Sequence, residues 1–150
     1  MKKEFIPYEQ ALALKELGFD EFTVAAYVDN ELDIGGLWKD SVKSKDIQKA
    51  PLYQQAFRWF RENYGIGFYE SNSFPSCEDN KVYAGIKSYT DSGKSILLNS
   101  RLGLGTMGTI LWRAVTYEEA ELACLIKLIE IVKNLKTLSN IYTQSNSRSI

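Results

Sequence analysis

Residues 51–64, PLYQQAFRWFRENY, decide the fold of this chain, because they read without ambiguity as an amphipathic helix. At roughly 100° per residue, Leu52, Tyr53, Ala56, Phe57, Trp59, Phe60 and Tyr64 fall within an arc of about 160°. Gln54, Gln55, Arg58, Arg61 and Glu62 take the other side, and Gly65 ends the helix. A helix with one aromatic face must lie on something apolar, so the neighbouring segments are expected to supply a sheet or further helices.

A second strong helix reads over 117–133, YEEAELACLIKLIEIVK. Thr116 and Glu119 form a capping box, in which each side chain satisfies the other's orphan amide. The apolar arc takes in Leu122, Cys124, Leu125, Ile126, Leu128, Ile129, Ile131 and Val132 and spans roughly 240°. That is too wide for one buried face. Either the helix is sandwiched between sheet and helices, or part of it meets another subunit.

A third helix is expected over 7–17, with Pro7 in its first turn, Gly18 as the left-handed stop and Phe19 folding back onto the last turn. Short alternating or aromatic-rich runs at 22–28, 31–38, 66–70, 81–90, 95–99 and 109–115 read as strands. Asp29-Asn30 is expected to turn a hairpin, as are residues 91–94. Residues 39–49 read as a surface connection and 71–80 as a loop. After Asn134 the chain turns polar and loses its period. The expected organisation is therefore one α+β domain over 1–134, with a flexible tail at 135–150. Its core is an antiparallel β-sheet of about five to six strands with three helices mainly on one face.

Composition narrows the function more than it names it. With 150 residues, 45% hydrophobic, 25% charged and a net charge of -1, the chain has the balance of an ordinary globular protein. The lack of excess Lys and Arg argues against a generic nucleic-acid binder. No run of about 18 apolar residues suggests a membrane span, and MKKEFIPYEQ lacks the apolar core of a secretory signal. Cys77 and Cys124 fit neither a disulfide framework nor a CxxC motif, so a cytoplasmic location is expected.

General acid–base catalysis near neutral pH most often uses histidine, and the sequence has none. Glu118, Glu119 and Glu121 suit a helix N-terminus without a catalytic role. Asp29, Glu31 and Asp33 alternate as acids on an exposed strand do. Cys77, beside Glu78 and Asp79, has acidic neighbours that raise a thiol's pKa. The chain is thus expected not to be an enzyme, and to need no cofactor or metal.

Gly103-Leu104-Gly105-Thr106-Met107-Gly108 matches GxGxxG, but the strand-then-helix context of a dinucleotide fold is missing: 109–115 reads as strand. What survives is a backbone nest for an anion, flanked by Arg101 and Arg113. In 81–90, Val82, Ala84 and Ile86 share one strand face, and Tyr83, Gly85, Lys87 and Tyr89 the other. An aromatic and basic face of this kind is most often a solvated sheet face; as a binding surface it can stack and charge-pair a nucleotide. The expected ligand set is Arg101, Gly103, Gly105, Gly108 and Arg113, with Tyr83 or Trp112 stacking a base.

The blocks MKKEFIPYEQALALKELGFDE, APLYQQAFRWFRENYGI and TYEEAELACLIKLIEIVK resemble those of small uncharacterised proteins encoded by phages and prophages of Bacteroidetes-type bacteria. They cover a little over a third of the chain and every expected helix. What the resemblance implies is a phage setting in a host cytoplasm, where short accessory proteins bind and block host components. The expected role is a non-enzymatic, sponge-like anti-defence protein that sequesters a signalling nucleotide. The alternative is an interaction module that forms a homo-oligomer or inhibits a host protein directly.

Overall fold

The computed structural model describes residues 2–38, 47–71, 82–88, 109–114 and 116–147. After a 3-10 turn at Lys2–Glu4, the order is α1 (Tyr8–Glu16), β1 (Thr23–Val28), β2 (Glu31–Trp38), β3 (Ile47–Lys49), α2 (Tyr53–Tyr64), β4 (Ile66–Ser71), β5 (Val82–Ser88), β6 (Thr109–Ala114) and α3 (Tyr117–Ser147). The expected strand at 95–99, the turn at 91–94 and all but the first residue of the loop at 71–80 lie outside the described residues.

The stop signal of α1 works as its sequence implies. Gly18 takes φ 97°, its N–H donates to Lys15 O at 3.0 Å, and the N–H of Phe19 donates back to Leu14 O at 3.0 Å. These are the two bonds of a Schellman motif, and they satisfy carbonyls the helix would otherwise orphan. Phe19 is thereby delivered to the core, where its ring meets Trp59 edge-on at 5.7 Å. Asp29 and Asn30 both have positive φ, 50° and 66°, between paired Val28 and Glu31. That is the type I′ geometry whose twist matches the flanking strands.

The described strands form two three-stranded antiparallel sheets, β2-β1-β3 and β4-β5-β6. The class is mixed α+β and six strands are described, as expected, but they are divided between two sheets instead of the single antiparallel sheet that the sequence suggests. Short turns reveal which strands are neighbours; they do not reveal where a sheet stops. Here β1 already has a partner on each side, and α2 separates β3 from β4 in the chain. The strand β3 itself falls inside the stretch read as a surface connection. It is only three residues long and its middle residue, Gln48, is buried, so it carries no apolar period to detect.

Helix α2 buries Tyr53, Ala56, Phe57, Trp59 and Phe60, five of the seven residues of the expected arc, with Leu52 and Tyr64 partly buried, and ends at Gly65 with φ 67°. Its start is held by Gln55, whose Oε1 accepts the Leu52 N–H at 3.1 Å. Leucine has no acceptor, so only this half of a capping box forms. Phe57 stacks on Phe68 of β4 at 4.8 Å and 11°, which docks the helix on the second sheet.

Helix α3 opens with the expected capping box. Thr116 N–H donates to Glu119 Oε2 at 3.3 Å, and Glu119 N–H donates to Thr116 Oγ1 at 3.2 Å. Of its wide apolar arc, Cys124, Leu125, Leu128, Ile129, Ile131 and Val132 are buried, and Ile126 is exposed. The helix is sandwiched: it touches all three strands of the second sheet as well as α1 and α2. It also runs on to Ser147, past the Asn134 where the sequence expects a tail to begin. No Gly or Pro follows Lys133 to stop it, and adding a residue to a formed helix is far easier than starting one. Lys133 pairs with Glu16 at 3.1 Å and Lys136 donates to Leu17 O at 2.8 Å, fastening the extension to the end of α1.

One buried cluster joins these parts, with Leu14 from α1, Ala25 from β1, Phe60 from α2, Ile66 and Ile86 from the second sheet, and Leu128 from α3. Each fully buried Leu, Ile or Phe contributes on the order of 1.5–3 kcal/mol. Among the described residues, no helix is long and apolar enough to cross a membrane.

Candidate functional site

Three of the seven site positions expected from the sequence, Tyr83, Trp112 and Arg113, lie in the second sheet, and its register decides which of them meet. Tyr83 of β5 is directly opposite Arg113 of β6, with Ser71 of β4 across from Tyr83 on the other side. Trp112 is opposite Ala84. Because successive strand residues alternate faces, positions 83 and 113 share one face and position 112 belongs to the other. The face of position 112 also holds Ile66, Phe68 and Ile86, of which Ile66 and Ile86 are fully buried and Phe68 stacks on α2. Positions 83 and 113 therefore share the face turned away from α2. Arg101, Gly103, Gly105 and Gly108 lie outside the described residues.

A second row of the same sheet runs Gly67, Lys87, Thr109 across β4, β5 and β6. Thr109 directly follows the glycine-rich segment, and neighbouring strands are about 4.8 Å apart, so Gly67 is roughly 10 Å from the point where that segment enters β6. Gly67 also borders a depression of about 440 Å³ formed with Gln54, Phe57, Arg58, Arg61 and Phe68. Arg58 there is engaged, with its Nη2 2.7 Å from Glu21 Oε2, a contact that raises its pKa further. Among the described residues Arg61 has no ion-pair partner. The sequence reading placed both arginines on the solvated side of α2; their i, i+3 spacing, which stacks them on one stripe, was the available signal.

The other side of Leu52 and Gln54 has the opposite charge. A depression of about 490 Å³ is walled by Glu4, Glu118 and Glu121 together with Tyr53 and Tyr117. Lys3 reaches Glu118 at 3.7 Å across its mouth. Burial first, and the Glu121 carboxylate second, push the Tyr53 phenol up to about 12.

The remaining reactive groups are quiet. The Cys124 thiol is buried, and desolvation with a smaller contribution from Glu121 pushes it up to about 12, so it is not a thiolate at neutral pH. Cys77 lies outside the described residues. Asp29, Glu31 and Asp33 are exposed, and no group of three metal-ligating side chains gathers anywhere among the described residues. Comparison with family models, with curated proteins and with solved structures finds no match for the chain.

Proposed function

We propose that this chain is a non-enzymatic binding protein that holds a small nucleotide without altering it, and that it serves as a phage accessory protein by sequestering a host defence signal. The observation that carries the reading is the cross-strand pairing of Tyr83 with Arg113 on the face turned away from α2. An aromatic ring and a guanidinium at directly opposed positions are the minimum set for a base and a phosphate. In this reading Tyr83, rather than Trp112, stacks the base, because Trp112 belongs to the face that packs on α2. Arg113 and Arg101 pair with phosphate, and the amides of Gly103, Gly105 and Gly108 cradle it.

Native mass spectrometry against a panel of cyclic and ADP-ribose-derived nucleotides tests the proposal. The expected result is a complex that releases its nucleotide chemically intact on denaturation and is lost in Arg113→Ala and Arg101→Ala. Binding unchanged in both variants removes the site assignment. A released ligand of altered mass would show an enzyme instead.

One observation favours the protein-interaction alternative. In the carboxyl-terminal half of α3, Leu138 is a large apolar side chain that is 48% exposed. Sedimentation equilibrium separates the readings: a monomer whose mass does not change with concentration argues against the homo-oligomer.

A further inference from the structure

A cavity between α1, the β1–β2 turn and β3 is lined by Gln48, whose side-chain oxygen the fold leaves without a partner. We infer that this cavity binds the α-ammonium and α-carboxylate groups of a free amino acid. Gln48 is only 6% exposed, and among the described residues its Oε1 is the one buried side-chain polar atom with no hydrogen-bond partner. The fold uses only the other half of the amide: Nε2 donates to Ala11 O at 3.1 Å and to Lys49 O at 3.0 Å. Those two bonds fix the amide, so Oε1 is an acceptor already oriented and already removed from water. A buried acceptor of this kind destabilises the fold until a donor reaches it.

The charges around Gln48 select the donor. Asp29 and Lys15 line the same cavity, and neither has an ion-pair partner among the described residues. The cavity therefore offers one carboxylate and one ammonium, unpaired with each other, and a zwitterion matches that pattern. Its ammonium has three N–H donors, of which Asp29 and Gln48 Oε1 each take one. Its carboxylate accepts from Lys15 Nζ. A simple cation would meet Lys15 as a like charge, and a simple anion would meet Asp29. Leu12 and Ile47 supply the apolar surface for an aliphatic side chain. A volume of about 290 Å³ suits a molecule of that size. On the α1 wall Tyr8 is held in place before any ligand arrives: its ring meets Tyr27 edge-on at 5.4 Å, and Tyr27 is itself anchored by donating to Ile6 O at 2.8 Å. Tyr8 and Leu12 are 37% and 39% exposed, so this wall also faces solvent.

The site shares no residue with the nucleotide reading, so either can fail alone. Leucine, N-acetyl-leucine, which lacks the ammonium, and leucinamide, which lacks the carboxylate, are titrated into the 15N-labelled chain. Leucine is expected to give saturable shifts at the Gln48 side-chain amide and the Asn30 backbone amide, and each analogue to bind about tenfold more weakly. Asp29→Asn and Lys15→Met are each expected to weaken leucine binding about tenfold. Both positions are exposed, and Asn tolerates the φ of 50° at position 29, so both variants keep the fold. Gln48→Met, which keeps the length of the side chain and removes the acceptor, is expected to lose binding while retaining a folded spectrum. No saturable shift with leucine at millimolar concentration, equal binding of the three compounds, or full affinity in Gln48→Met or in both charge variants would overturn the proposal.

Discussion

Gln48 donates from Nε2 to the carbonyl oxygen of Ala11 at 3.1 Å, and so fastens the three-residue strand β3 to helix α1. The same nitrogen donates to Lys49 O at 3.0 Å. With both partners being carbonyls, the amide orientation is fixed, and Oε1 is left buried without a donor. The donor is therefore the useful half of the side chain. Gln48→Glu puts a buried carboxylate against two carbonyl oxygens and is expected to cost about 3 kcal/mol or more. Gln48→Met loses the two bonds but also removes the unsatisfied oxygen, and is expected to cost only about 1 kcal/mol. Urea denaturation of the two variants side by side measures the difference; equal losses would mean that packing, not donation, is what Gln48 provides.

The Asp29-Asn30 turn makes a prediction about backbone rather than contacts. Both residues occupy the left-handed region, which Asn and Asp tolerate and β-branched residues do not. Asn30→Gly is expected to change stability by less than about 1 kcal/mol, whereas Asn30→Val is expected to lose about 1–2 kcal/mol. Thermal melts monitored by circular dichroism report both. A harmless valine would mean that the hairpin does not need this turn type.

Phe57 and Phe68 join helix α2 to the second sheet through a stack at 4.8 Å. Phe57 is 8% exposed, so truncation leaves a cavity that neighbours on a helix and a strand fill poorly. Phe57→Ala is expected to cost about 3–5 kcal/mol and Phe57→Leu clearly less. Chemical denaturation checks the order.

The sequence was legible where a single residue type has one physical use. Gly18 and Gly65 as left-handed stops, Asp29-Asn30 as a turn, Thr116 with Glu119 as a reciprocal cap, and the aromatic arc of α2 all appear as read. It was illegible where tertiary context decides. β3 pairs with β1 and is tied to α1 by one polar residue, Gln48, and no period marks it. The split into two sheets depends on where α2 leaves the chain, which no turn residue encodes. The length of α3 depends on Lys133 and Lys136 finding the end of α1, contacts separated by 117 and 119 positions. For the site, the alternation of 82–87 assigned strand faces as the register has them, and Tyr83 opposite Arg113 needed the register itself.

The last prediction concerns alkaline pH and follows from groups that burial keeps protonated. Cys124 is pushed from 9.0 to about 12, Tyr53 from 10.0 to about 12, and Tyr27 upward by burial alone. All three are acids whose folded-state values exceed the unfolded ones. Between the two values the unfolded chain has released a proton that the folded chain still holds, so unfolding is favoured as pH rises. The contribution of Cys124 is complete below about pH 9 and declines above it; Tyr53 and Tyr27 join above about pH 10, and the loss continues to about pH 12. The urea midpoint is therefore expected to hold between pH 7 and 8.5 and then fall, more steeply beyond pH 10. In Cys124→Ala the fall is expected to begin about one pH unit later, whatever the absolute stability of that variant. Glu121→Gln is expected to soften the fall, because its carboxylate is the second cause of the shift at both Tyr53 and Cys124. A midpoint that is flat to pH 11 would mean that these groups reach solvent far more freely than their burial in this fold requires.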